Sequence, residues 1–98
     1  MAECSYNRLT EAPSDVSSET QILDLRGNNI KHIPKHYFDN FPNLIKLYIN
    51  YNDLEEIEAG SFDKLTKLEY LDMHENEIKK IPGDILFLPV WVAIGVGW

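Results

Sequence analysis

One spacing dominates this chain: a pattern of apolar residues and asparagines returns every 24 residues. Leu23, Leu47 and Leu71 share it, as do Leu25, Ile49 and Met73, then Asn28, Asn52 and Asn76, then Ile30, Leu54 and Ile78. Two further apolar columns follow, at Ile33, Ile57 and Ile81 and at Phe38, Phe62 and Leu86. A unit this short cannot bury its own apolar face. A fixed period in this range therefore means stacked repeats, a solenoid in which each unit is covered by its neighbours. Function in such a chain is expected on a surface rather than in a catalytic pocket.

Within each unit the apolar and polar residues alternate, as in a half-buried strand. The spacing predicts strands over Ile22 to Arg26, Lys46 to Asn50 and Tyr70 to His74, stacked in parallel about 4.8 Å apart. Leu23/Leu25, Leu47/Ile49 and Leu71/Met73 then point inward. After each strand the chain turns and leaves backbone donors and acceptors unpaired in the interior. Asn28, Asn52 and Asn76 carry both a donor and an acceptor and are placed to satisfy them as a ladder. The return segments, Pro34 to Leu44 and Glu58 to Leu68, bury Phe38/Phe41 and Phe62/Leu65. Proline and glycine break any long helical run there, so short turns or 3₁₀ pieces are expected.

A shorter echo precedes the repeats. Leu9-x-x-Ala12-Pro13 matches Ile30-x-x-Ile33-Pro34. A solenoid needs a polar-faced cap at each end, so residues 1–19 read as the N-terminal cap, 20–84 as three repeats, and 85–98 as an apolar C-terminal cap or tail.

These features resemble the leucine-rich repeat family in its 24-residue typical subtype. The carrying residues are Leu44-x-x-Leu47-x-Ile49-x-x-Asn52-x-Leu54 and Leu68-x-x-Leu71-x-Met73-x-x-Asn76-x-Ile78, with Leu23 to Ile30 matching except at Thr20. The resemblance implies an α/β fold of the solenoid kind, with a curved parallel β-sheet on the concave side and loops or 3₁₀ turns on the convex side. The spacer from Phe62 to Leu68 is similar to that of secreted and cell-surface members: Toll-like receptors, Slit proteins, small leucine-rich proteoglycans and variable lymphocyte receptors. A secreted or cell-surface location is what this implies. Cys4-x-x-Asn7-Arg8-Leu9-Thr10-Glu11-Ala12-Pro13 is similar to the end of the family's cysteine-rich cap. That cap usually has two disulfides, whereas Cys4 is the single cysteine here. Met1-Ala2 reads as a start placed inside or near such a cap, and the chain as truncated, synthetic or fragmentary. No signal peptide is recognisable in it.

Composition narrows the partners. The formal charge of the 98 residues is −7. Nucleic-acid binding needs a basic stripe, and anionic membranes need basic clusters, so neither partner is expected. A basic protein partner is compatible, although most acidic surfaces serve solubility alone. From Ile85 to Trp98 there is no charged residue. Three readings of that tail stay open: a makeshift C-terminal cap, a homodimer contact, or a membrane segment cut short of the ~20 residues that span a bilayer. Continuing the period would put Val92, Gly95 and Gly97 inside, and a one-residue slip would instead bury Ile94, Val96 and Trp98.

Catalytic and metal chemistry find little support. His32 and His36 are separated by Pro34 and cannot share a helical face as ligands. Asp72 and His74 could imitate a dyad, but no serine or cysteine occupies a matching position. Cys4 lies beside Glu3, a poor setting for a reactive thiolate. No catalytic residue, metal set or cofactor site is expected. Lys31/Glu55/Lys79 and His32/Glu56/Lys80 alternate in sign along the convex turns, which favours weak pairing between neighbours.

The outward strand positions are the functional candidates. Across the repeats they read Ile22, Lys46, Tyr70; then Asp24, Tyr48, Asp72; then Arg26, Asn50, His74; then Gly27, Tyr51, Glu75. Aromatic residues and arginine dominate interface hot spots, although strands favour tyrosine for packing alone. The expectation is a non-catalytic protein–protein recognition module. Tyr48 and Tyr70, with Tyr51, would act as anchors. Asp24, Arg26, Lys46 and Asp72 would set charge complementarity, and Asn50 and His74 would make polar contacts. The alternative is a minimal or engineered structural scaffold that mainly self-associates, through Ile85–Trp98 or an open sheet edge.

Overall fold

The computed structural model describes residues 1–87 and 91–93. Five short strands form one parallel sheet in chain order: β1 (Ala2–Glu3), β2 (Ile22–Asp24), β3 (Lys46–Tyr48), β4 (Tyr70–Asp72) and β5 (Trp91–Ala93). Leu23 pairs with Leu47 and Leu47 with Leu71, so the sheet register is the sequence period itself. Each strand is only a few residues long because the chain must turn, cross the convex side and return within one repeat. The ladder runs on past the strand ends, through Leu25 N–H to the Tyr48 carbonyl (2.8 Å) and Ile49 N–H to the Asp72 carbonyl (2.8 Å).

The core lies between this sheet and the convex turns. Leu23, Leu25, Leu47, Ile49, Leu71 and Met73 are fully buried from the sheet side. Phe38, Phe41, Phe62 and Leu65 close it from the return segments. No long helix forms there: the described pieces are 3₁₀ turns at Tyr37–Asn40 and Gly83–Phe87. Ile78 and Ile81 are half-buried against the same core. At Thr20, where the later repeats have leucine, the side chain is also buried. Its hydroxyl donates to the Ser17 carbonyl at 2.7 Å, so the polar atom is satisfied locally and the position remains usable.

Both ends depart from the 24-residue step. Residues 2–6 join the sheet: Ala2 pairs with Leu23, and the Cys4 and Tyr6 N–H groups each donate at 2.8 Å to the Asp24 and Arg26 carbonyls. The shorter echo seen at Leu9 is the reason, since the cap is offset from the first repeat by 21 residues. At the far end Leu71 pairs with Val92, again a shorter step. The expected continuation of the 24-residue period into the tail is therefore corrected: β5 begins earlier, and Val92 is half-buried against the core. The alternatives for Ile94, Gly95, Val96, Gly97 and Trp98 lie outside the described residues, and the homodimer reading of Ile85–Trp98 rests in part on them. Among the described residues no helix is long and apolar enough to cross a membrane.

The convex charge columns do not pair as their alternating signs suggested. Among the described residues, His32 meets Glu58 at 4.0 Å rather than Glu56, and no ion pair joins Lys31, Glu55 and Lys79. Long exposed side chains gain too little from one another to offset the entropy of being held together.

Tyr37 fastens the first convex turn to the cap. Its hydroxyl donates to the Pro13 carbonyl at 2.6 Å, and its ring meets Phe38 and Phe41 edge-on at 5.2 and 5.3 Å. Burial, helped by Cys4 and Asp15, pushes this phenol from 10.0 up to about 12. The fold thus favours the neutral form. That contribution is complete below pH 10 and is lost as pH rises from there towards about 12. Urea unfolding at stepped alkaline pH should show stability falling more steeply in the native protein than in Tyr37→Phe. Equal slopes would show that the phenol is not sensed by folding.

Candidate binding surface on the concave sheet

The side chains that leave the sheet on its concave side form a layer organised by two buried carboxylates. Asp24, which alternation places outward, is only 1 % exposed. Its Oδ1 accepts from the Arg26 backbone N–H (3.1 Å) and from Arg26 Nε (2.9 Å), while Oδ2 accepts from Arg26 Nη2 at 2.7 Å. The fork-to-carboxylate geometry keeps Arg26 folded back over the sheet. This bond to Asp24 holds the guanidinium firmly protonated, above its ordinary value. The Arg26 head then lies 5.4 Å from the Tyr48 ring centroid, a cation–π distance. Tyr48 in turn packs on Tyr70 with centroids 5.3 Å apart. Partial burial, then the Asp72 carboxylate and the Tyr48 phenol, push the Tyr70 hydroxyl upward, so it remains a hydrogen-bond donor at neutral pH.

Asp72 repeats the device one strand on. It is 7 % exposed, accepts from the His74 backbone N–H at 3.2 Å and bonds His74 Nδ1. The His74 ring meets Tyr51 edge-on at 5.2 Å. At the cap Glu3 takes the same part, accepting from the Ser5 N–H (2.9 Å) and hydroxyl.

Three sequence-based assignments change in consequence. Asp24, Asp72 and Asn50 were expected to offer contact surface, but all three are buried, Asn50 to 4 % exposure. Alternation fixes the side of the sheet and not the height: short side chains between long ones are roofed over. Asp24 and Asp72 position Arg26 and His74 rather than meeting a partner. The accessible surface is made by Lys46 and Tyr51, which are exposed, and by Arg26, Tyr48, Tyr70 and His74, which are half-buried.

Tyr6 was missed. It is 66 % exposed, and its ring lies so close over Gly27 that a Cβ there would come within 2.2 Å of it. Gly27, at φ +67°, leaves room for this ring. Tyr6, Gly27, Tyr51 and Glu75 all have positive φ, so one left-handed residue follows each of β1, β2, β3 and β4. The signal in the sequence was the asparagine that follows each of them, Asn7 included.

The asparagine column secures these turns. Asn28 Oδ1 accepts from the Asn7 and Leu9 N–H groups (2.9 and 3.0 Å), and its Nδ2 donates to the Cys4 and Leu25 carbonyls, both at 3.0 Å. Asn52 accepts from Ile30 N–H (3.2 Å) and donates to Leu25 (2.8 Å) and Ile49 (3.2 Å). Asn76 accepts from Leu54 N–H (3.0 Å) and donates to Ile49 (3.0 Å) and Met73 (3.1 Å). The amides thus bond backbone of the preceding repeat and of their own, rather than one another.

Elsewhere the chemistry is quiet. His36 bonds Asp39 at 3.0 Å on the surface, apart from His32. Burial, then Asp15, Glu3 and Asp24, push the Cys4 thiol upward, away from thiolate reactivity.

Comparison with known proteins agrees with this architecture. The leucine rich repeat family model matches residues 18–78. Leucine-rich repeat-containing protein 3 of Danio rerio is 34 % identical over 83 residues, covering 84 % of this chain and 31 % of its own. Lumican of Rattus norvegicus is 35 % identical over 82 residues, covering 83 % of this chain and 24 % of its own. Mimecan of Homo sapiens is 38 % identical over 72 residues, covering 74 % and 24 %. The chain thus spans less than a third of the length of these relatives. Sheet register, asparagine turns and these matches together place it: the chain belongs to the leucine-rich repeat family.

Proposed function

We propose that this chain is a non-catalytic recognition module that binds a protein partner through the concave face of its sheet. The observation that supports this most is the Arg26–Tyr48–Tyr70 layer, held in place by the buried Asp24 carboxylate. Aromatic and arginine side chains that are already ordered lose little entropy on binding, which favours them as anchors. In this reading Tyr48 and Tyr70 are the anchors, Tyr51, Lys46 and His74 extend the contact, and Asp24 and Asp72 act from beneath. Residues 1–19 serve as the cap and 20–84 carry the repeats. The likeness to secreted and cell-surface family members favours an extracellular partner.

The test is a screen against an array of extracellular proteins, followed by affinity measurement. Tyr48→Ala with Tyr70→Ala should weaken a partner found this way by roughly 100-fold or more, at ~2 kcal/mol or above for a hot-spot residue. Circular dichroism should show the fold intact. Unchanged affinity in that double variant would move the binding site off the concave face.

A further inference from the structure

Beneath the concave layer one polar atom has no partner: Asn50 Oδ1 is buried and unbonded among the described residues. Its neighbours in the same row, Arg26 and His74, are both matched to carboxylates. The equivalent carboxylate is missing on β3, because Tyr48 stands where β2 and β4 have Asp24 and Asp72. Buried acceptors are nearly always satisfied, so an orphan of this kind calls for an explanation.

The next residue is Tyr51, 51 % exposed and turned out by its left-handed backbone, with His74 against one side of its ring. Asp53 follows Tyr51 by two residues, and by the register of β3 against β4 Glu75 and Glu77 hold the same two places one repeat on. No cation among the described residues comes within 4.0 Å of any of them. The nearer cation of the face, Arg26, is already neutralised by Asp24. Lys46 begins the strand that Asn50 follows, about 13 Å away at ~3.3 Å per residue and so beyond a Debye length of ~8 Å.

We infer that this end of the concave face receives an arginine side chain from the partner. Its guanidinium donates to Asn50 Oδ1 and lies against Tyr51, while Asp53, Glu75 and Glu77 supply the opposing charge. Arginine fits better than lysine because a planar, weakly hydrated head can stack and donate at once. The overall charge of −7 draws such a partner in. A rotamer change in the side chains roofing Asn50, of the size common at interfaces, opens the acceptor.

This rests on the concave-face reading but can be tested without the partner. The probe is Nα-acetyl-arginine amide, titrated into isotope-labelled protein and followed by NMR, with the citrulline and glutamate analogues as controls. The arginine probe should give saturable shifts at the Asn50 side-chain amide and the Tyr51 N–H. Asn50→Leu should weaken it about tenfold, since a hydrogen bond to a charged group is lost, without lowering the melting temperature. Glu75→Gln with Glu77→Gln should weaken it about threefold, and less so in high salt. Absence of saturation, equal binding of the glutamate analogue, or shifts confined to Glu55–Glu58 on the convex side would each overturn the inference. Once a partner is in hand the two readings separate. A partner that needs Tyr48 and Tyr70 but ignores Asn50→Leu and the glutamate pair sinks the arginine site alone. One that ignores the tyrosines sinks the concave face.

Discussion

Phe38→Ala is expected to cost about 3–5 kcal/mol, the usual loss for a buried aromatic side chain. The Phe38 ring is 1 % exposed. It packs on Tyr37 edge-on at 5.2 Å within its own turn, and on Phe62, the same position one repeat later, at 5.4 Å. Removing it leaves a cavity that the stack cannot close, because the sheet register holds the repeats a fixed distance apart. A domain of this size has a total stability of roughly 5–15 kcal/mol. The variant should therefore melt well over ~10 °C lower, as each kcal/mol moves the midpoint of so small a domain by about 4–8 °C. Phe38→Leu keeps most of the volume and should lose far less. Equal melting points for Phe38→Ala and the native protein would mean that the convex turn contributes nothing to the core.

Two asparagines, two residues apart, should respond to the same substitution with opposite signs. Asn52→Leu preserves size but strands the Ile30 N–H, which bonds only the Asn52 side chain among the described groups. One buried orphan donor costs ~1–3 kcal/mol. The Leu25 and Ile49 carbonyls lose one donor each, although Asn28 and Asn76 still serve them at 3.0 Å. The loss should thus stay within a few kcal/mol, and amide exchange at Ile30 should quicken more than elsewhere. Asn50→Leu removes an acceptor that has no partner, so it should be neutral or mildly stabilising. If both variants destabilise alike, the contrast between a satisfied and an orphaned amide is wrong.

That contrast also marks how far the sequence could be read. Asn52 belongs to a column with a fixed spacing, and its role follows from what a turn leaves unbonded. Asn50 belongs to the row Arg26, Asn50, His74, where residue type changes at every step. Its burial, to 4 % exposure, follows from neither its type nor its spacing. Alternation assigns Asp24, Asn50 and Asp72 to the concave side correctly, yet says nothing of which side chains roof which. Tyr6 escaped for a different reason: the cap runs on the shorter step, so a search at 24 residues passes over it.

The chain's own letters determined the parallel stack, the register of its three central strands, the buried columns and the asparagine turns. Each of these follows from a local requirement repeated at one spacing, which any stacking of the units must satisfy. Only the tertiary structure decided the shorter steps at both ends, the sinking of the two aspartates beneath Arg26 and His74, the orphaned Asn50 oxygen and the seat of Tyr6 on Gly27. These arise between unlike residues on neighbouring strands, where side-chain length and hydrogen-bond choice set the outcome and no periodicity records it.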